Sequence, residues 1–314
     1  MTTPAQRTKV AFKYFFPNFS SSYFFQLFPF LSEMVEVTSE SDAELVVFSV
    51  WHDIPGVGPS SEDYAVGRFH VMPPIERLPG KAYLFWSGEN VLPDMALCDY
   101  AITHSYCSHS NHLRLPYWVA ALRGNGLTGD DLARSQDNLV PPIADRRDCN
   151  FLYSHQVPHR EKFALEMMEY FEVVCPGISL HNTSDSVPAG FQGKAKFLSG
   201  FNFTIAFENS KDDGYTTEKL IEPLLSTSIP LYWGNERVLE DINSECFIQV
   251  DKFSGVQELS EYMRFLLSNE EDYQRIAMAP RFPNSEIPEI ATLIYAQKFF
   301  QRLLNGISSN PNLL

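Results

Sequence analysis

The chain has 314 residues, room for two domains of ordinary size, and its 44% hydrophobic and 20% charged residues describe a packed protein rather than a disordered one. Its 39 acidic residues outnumber 24 Lys and Arg, for a formal charge of -15, and so acidic a surface repels a phosphate backbone, which excludes nucleic acid as an expected partner. A small anion stays open, provided that a few cations gather at one identifiable site.

From the start, MTTPAQRTKVAFKYFFPNF lacks a basic segment followed by an apolar one, and no run of about 18 apolar residues occurs. A full-length chain of this kind is expected to be soluble and cytoplasmic, with no membrane span. Apolar runs without strict alternation at 9–16, 43–50, 81–86 and 99–105 predict parallel strands buried on both faces, the pattern of a Rossmann-like layer. Residues 124–148 are polar, charged and broken by Pro141-Pro142, the composition of an interdomain linker. The predicted domains are therefore 1–148 and 149–314. The second repeats the alternation: a strand at CNFLYS, a helix after Pro158, strands at 201–207, 229–233 and 247–250, and helices at 216–226, 256–267 and 289–304. Ligands in such sheets sit beyond the carboxyl ends of the strands. Cys98, Cys107, Cys149, Cys175 and Cys246 form no C-x-x-C pair, which predicts buried free thiols rather than a disulfide framework or a zinc module.

The most informative stretch is 201–235, FNFTIAFENSKDDGYTTEKLIEPLLSTSIPLYWGN. It predicts a strand, a polar loop, a helix capped by Thr216 or Thr217, and a second strand ending at Trp233-Gly234. A helix N-terminus at a strand's carboxyl end presents unpaired N–H groups to an anion, and Lys219 in the first turn adds a full charge. Thr-Glu-Lys is equally an ordinary cap with a solvated lysine.

Phe207-Glu208-Asn209, Tyr215, Thr217-Glu218-Lys219 and the IPLYWG run at 229–234, in this order, closely resemble the donor-binding motif of the α1,3/α1,4-fucosyltransferase family. The KDDG stretch is where the chain departs from it. SGEN at 87–90, after the KAYLFW run, resembles the family's strand-end glutamate, and FLYSHQVPHREKF at 151–163 places Arg160 where the family has an arginine on the pyrophosphate. The resemblance implies a GT-B fold, two facing Rossmann-like domains with a cleft between them, the nucleotide held mainly by the second and the final helix crossing back toward the first. It further implies an inverting transferase that moves fucose from GDP-fucose to a hydroxyl of an oligosaccharide acceptor. Glu89 would be the general base, because an acceptor hydroxyl must lose its proton as it attacks. Arg160 and Lys219 would neutralise the departing GDP, Asn209 orient the sugar phosphate, Tyr215 line the nucleotide pocket and Glu218 hold the ribose or the cationic sugar. With these cations in place no metal and no cofactor are expected beyond the donor substrate. The alternatives are a related transferase with another sugar nucleotide and a non-catalytic binder, which would have no need of Glu89.

Other features compete. Gly124-x-Gly126-x-x-Gly129 fits the dinucleotide fingerprint as a string, but the YWVAALR stretch before it reads as a helix where the fingerprint needs a strand. His104, Cys107, His109 and His112 could be drawn as a zinc cluster, as loop polar residues or as acceptor contacts. Acceptor choice is expected in loops 52–80 and 104–118, where Trp51, Tyr64, Tyr117 and Trp118 could stack on sugars or pack in the core.

Overall fold

The structure is a computed structural model that describes residues 7–51 and 72–309. The chain divides into two compact units, Met1–Gly126 with Glu289–Leu314, and Leu127–Pro288.

The first unit runs β1 (Thr8–Lys13), α1 (Ser21–Leu27), β2 (Val35–Val37), β3 (Leu45–Phe48), β4 (Ala82–Trp86), β5 (Tyr100–Thr103), β6 (His112–Arg114) and α2 (Tyr117–Gly124). Its strands form one sheet in the order β2-β1-β3-β4-β5-β6, every pair parallel, with registers such as Val46 beside Tyr83 and Phe85 beside Ala101. All four residues of β3 and all five of β4 are buried, as strands covered on both faces require. One face packs Val46, Phe48, Tyr83 and Phe85 into a core. On the other, Phe12, Phe24, Phe28 and Phe300 meet edge to face at ring separations of 4.9–5.9 Å. Phe300 belongs to the last helix, Leu293–Ser309, which therefore packs within the first unit. Arg123 ties that helix down, donating to the carbonyls of Ala291 and Thr292.

The second unit runs α3 (Gly129–Arg134), β7 (Arg147–Asn150), α4 (Pro158–Met167), β8 (Val173–Val174), α5 (Gly190–Leu198), β9 (Phe201–Phe207), α6 (Glu218–Leu225), β10 (Ile229–Trp233), β11 (Ile248–Gln249), α7 (Val256–Ser268) and α8 (Glu270–Ala277). Its sheet is again wholly parallel, in the order β11-β10-β9-β7-β8. The seven residues of β9 are all buried. Phe203 and Ile205 share a core with Phe163 and Met167 of α4 and Leu259 and Met263 of α7.

The division differs from the one expected at 148/149, which falls inside the second unit. The polar stretch that reads as a linker is folded. Thr128 accepts from the Asp131 N–H while the Asp131 carboxylate accepts from the Thr128 N–H, a capping box that starts α3. The Arg281 guanidinium, 1% exposed, then donates to Oγ and O of Ser135 and to the carbonyls of Leu224, Ala277 and Ala279. The polarity of 124–148 is thus spent on caps and on this buried arginine. All five cysteines are free, and Cys98, Cys149, Cys175 and Cys246 are buried, as expected.

Arg281 ties 127–146 to the rest of its unit through two hydrogen bonds to Ser135. Replacing it with methionine strands several buried carbonyls, and Arg281→Met is expected to lower the unfolding free energy by about 3 kcal/mol in urea titration. A loss well under about 1 kcal/mol would show that the segment is held by other contacts.

Candidate functional site

The two sheets share one strand order. In each, the first strand lies between the second and the third, so consecutive connections leave in opposite directions at β1/β3 and at β7/β9. A crevice opens at the carboxyl ends of the strands at such a switch point. The structure has a pocket at both places, one in each unit.

The pocket of the second unit, about 210 Å³, is lined by Leu152–His155 after β7, by Asn209 after β9, by Arg160 of α4, and by Glu218, Lys219, Glu222 and Pro223 of α6, with Lys194 and Leu198 of α5. Pro158 at the first position of α4, where no intrahelical N–H partner is lost, sets Arg160 in that helix's first turn. The guanidinium is 1% exposed and lies 4.2 Å from the Tyr153 ring centroid. It donates from Nη1 to Asn209 Oδ1 at 3.0 Å and from Nη2 to the His155 carbonyl at 3.1 Å, while its buried Nε has no hydrogen-bond partner among the described residues. Burial pushes this arginine below its ordinary value, partly countered by Tyr153 and Glu208.

Thr217 caps α6, its Oγ1 accepting from the Lys219 N–H, so of the two predicted caps Thr217 is the one used. The cap is held from behind by Glu208, fully buried, which accepts from the Thr217 N–H and Oγ1, both at 2.7 Å. Lys219 Nζ lies 3.2 Å from Glu218 and 3.8 Å from Glu208. Burial works against the lysine's charge, but Glu218 and Glu208 outweigh it and hold the ammonium protonated. Glu218 is likewise pushed up by burial and more strongly down by Lys219 and Lys194, so it is the ionised partner. Burial lifts Glu208 to about 7, against the pull of Lys219. Thr216 adds a second tie, accepting from Asn235 Nδ2 at 3.1 Å. Gly234 is required beneath this network: a Cβ there would lie 2.6 Å from Glu208 Cγ and 2.7 Å from the Tyr232 hydroxyl.

The structure thus brings Arg160, Asn209, Glu218 and Lys219 to one pocket; Tyr215, expected to line it, is not among its lining residues and is instead buried within electrostatic reach of both cations. Arg160, Lys194 and Lys219 face Glu218 and Glu222, a cationic balance inside a chain of charge -15. Glu208, Lys194 and Glu222 carry no sequence assignment. Glu208 had a signal, the one acidic residue directly after the FNFTIAF strand; Glu222 had one too, four residues after Glu218 and so on the same helix face.

The pocket of the first unit, about 310 Å³, is lined by Phe15 and Phe16 after β1, Ser49 and Trp51 after β3, Trp86, Gly88 and Glu89 at the end of β4, and Tyr23, Tyr117 and Ala120. The Glu89 N–H donates to Ser87 Oγ at 3.0 Å, a local turn that projects the residue from the strand end. Gly88 leaves space for the Tyr117 ring, which a Cβ would meet at 2.6 Å. Of the expected aromatics, Trp51 and Tyr117 line this pocket, Trp118 is fully buried in the core, and Tyr64 with most of loop 52–80 lies outside the described residues. His112 is in a strand, its Nε2 2.8 Å from Thr103 Oγ1, and no group of three or more His, Cys, Asp or Glu among the described residues could hold a metal. The GxGxxG string begins at the end of helix α2, as its preceding residues predicted. No helix among the described residues is long and apolar enough to cross a membrane.

Two parallel-sheet units, each with a pocket at its switch point, define the fold of a GT-B glycosyltransferase. A solved α1,3-fucosyltransferase with GDP superposes with a TM-score of 0.74 at 19% identity, over 97% of this chain and 92% of that one. Residues 147–277 match the C-terminal domain of glycosyltransferase family 10 (fucosyltransferase), and residues 80–121 match the N-terminal domain of alpha-(1,3)-fucosyltransferase FucT. The chain belongs to this fucosyltransferase family. Among relatives, the alpha-(1,3)-fucosyltransferase FucT of Helicobacter pylori is 27% identical over 219 residues, 60% of this chain and 45% of that protein. GDP-fucose protein O-fucosyltransferase 3 of Gallus gallus is 30% identical over 145 residues, 43% of this chain and 29% of that protein. The chain therefore spans less than half the length of these relatives.

The electrostatics give a measurable pH dependence. Glu208 ionises near 7 when folded, against 4.5 as its ordinary value, so between these the folded chain binds the extra proton. The stability this supplies is full below about 4.5 and lost as pH rises through about 7. In urea unfolding at about pH 5 and about pH 8, wild type is expected to lose stability relative to Glu208→Gln at the higher pH. A difference that stays constant, or reverses, would contradict the burial of an ionisable carboxyl at this position.

Proposed function

We propose that this chain transfers L-fucose from GDP-β-L-fucose, with inversion at the anomeric carbon, to the 3-OH or 4-OH of N-acetylglucosamine or glucose in a lactosamine-type glycan. The observation that carries the reading is the convergence of the buried Arg160 guanidinium, Asn209 and the Lys219 ammonium beside the capped N-terminus of α6. The positive end of the helix dipole and two desolvated cations suit a pyrophosphate. In this reading Arg160 and Lys219 take up the charge that grows on departing GDP, and the unsatisfied Arg160 Nε is a further donor for it. Asn209, held by Arg160, orients the sugar phosphate, and Glu218 receives the ribose hydroxyls or the cationic sugar. Tyr215, buried within electrostatic reach of Arg160 and Lys219, supports the nucleotide pocket without lining it.

Glu89 is the base. Its pocket combines a carboxylate with the rings of Trp51, Trp86 and Tyr117, and a sugar offers what such a pocket takes: apolar C–H groups for the rings and hydroxyls for the carboxylate. As the acceptor oxygen attacks the anomeric carbon from the side opposite GDP, Glu89 takes its proton and the bond to the β-phosphate oxygen breaks. Two protein cations supply the charge compensation, and the proposed reaction needs neither a divalent ion nor a cofactor.

Incubation with GDP-fucose and N-acetyllactosamine in the presence of a chelator, read by mass spectrometry and NMR, is expected to give an α-linked fucosyl product. No transfer despite GDP-fucose binding would overturn the acceptor, and no binding would overturn the donor. Glu89→Gln is expected to keep GDP-fucose affinity and lose about 100-fold or more in turnover; unchanged turnover would remove Glu89 from this role.

A further inference from the structure

The donor pocket contains a carboxylate that phosphate binding does not explain. Glu222 lies one helical turn beyond Glu218, away from the N-terminus of α6, and its side chain is 15% exposed. It pairs with Lys194 of α5 at 2.5 Å, and both line the pocket. A carboxylate weakens a pocket for an anion unless it faces hydrogen-bond donors of the ligand. Two apolar side chains line the pocket with the pair: Leu198, on the same helix face as Lys194, and Pro223, next to Glu222. An ionic donor–acceptor pair set among apolar side chains suits a flat heteroaromatic ring with a polar edge.

The order of groups on the pair selects the ring. Guanine presents along its pairing edge an acceptor, O6, followed by two donors, N1–H and N2–H. A lysine ammonium next to a carboxylate presents the complement: a donor for O6 and two acceptor oxygens for N1–H and N2–H. Adenine places its N1 lone pair against the carboxylate. Uracil supplies only N3–H and sets its O2 against the second oxygen. We propose that Lys194 and Glu222 read the pairing edge of the guanine base and so set the donor's nucleotide specificity. This rests on the reading of the pocket as a nucleoside-diphosphate site. It places the base one helical turn from the phosphates, with Glu218 at the ribose between them.

The test is calorimetric titration of the full chain with GDP, IDP and UDP. IDP keeps O6 and N1–H and lacks only the N2 amine. Wild type is expected to bind GDP about 10-fold or more tighter than IDP, and tighter still than UDP, because a polar site left with an unpaired carboxylate oxygen rejects the analogue. In Glu222→Gln the amide sets a donor against guanine donors, and the GDP/IDP ratio is expected to fall to about 1 to 2. Lys194→Met is expected to weaken GDP and IDP alike, since both carry O6. Equal affinity of wild type for GDP and IDP would overturn the proposal without needing any variant to fold. It would be overturned equally if Glu222→Gln and Lys194→Met lowered thermal stability and left the ratio intact, for the pair would then be a tie between helices. If wild type bound none of the three nucleotides, the donor reading itself would fall, an outcome distinct from loss of base preference.

Discussion

Sinking a cation below a protein surface costs several kcal/mol unless paired charges and hydrogen bonds replace its water. The second unit is arranged around two such cations, Arg160 and Lys219. Arg160 is held by the carbonyl of His155, by Asn209 and by the Tyr153 ring. Lys219 is held by Glu218 and Glu208. Arg160 keeps one buried donor, Nε, without a partner among the described residues, and a desolvated, incompletely satisfied charge is what an anion site consists of. The rest of the unit can be read as support for that imbalance: β9 buried throughout its length, Thr217 capping α6, and Gly234 leaving room for Glu208.

Glu208 has a double task. As a hydrogen-bond acceptor for both the amide and the hydroxyl of Thr217, it fixes where α6 begins. As a buried acid near Lys219, it helps keep the ammonium charged while its own ionisation is pushed to about 7. Backbone geometry and electrostatics at the pocket are therefore set by one side chain. The first unit uses different physics at the equivalent position of the same strand order: there the switch point is walled by aromatic rings around one carboxylate. Parallel sheets of one topology have thus produced a charged pocket in one unit and an aromatic one in the other, through the residues that follow each strand.

Much of this was legible in the sequence. Strands β9 and β10 lie at the predicted 201–207 and 229–233, because runs of five to seven residues rich in aromatic and β-branched side chains between turn signals have few other solutions. Arg160, Asn209, Glu218 and Lys219 were named by motif and meet in one pocket. What the sequence hid is instructive. Strands β2, β6 and β8, of two or three residues, are too short to carry a period. Helix α5 has Gly190 and Gly193 in its first turns and an undistinguished local pattern, so Lys194 could not be placed beside Glu222. The segment 127–146 reads as linker because its polar groups serve a local cap and Arg281, a partner distant in sequence. Local propensity cannot see a hydrogen bond made 146 residues away.

Donor binding in the proposed reaction depends on Lys219 and Arg160 forming a pyrophosphate site. Its most direct test is calorimetric titration of GDP into wild type and Lys219→Met, with circular dichroism and thermal unfolding as controls for the fold. The account predicts a folded variant that binds GDP about 10- to 100-fold more weakly, the worth of one charge-assisted contact in a dry pocket. Equal GDP affinity in a folded Lys219→Met would contradict it and place the phosphates elsewhere.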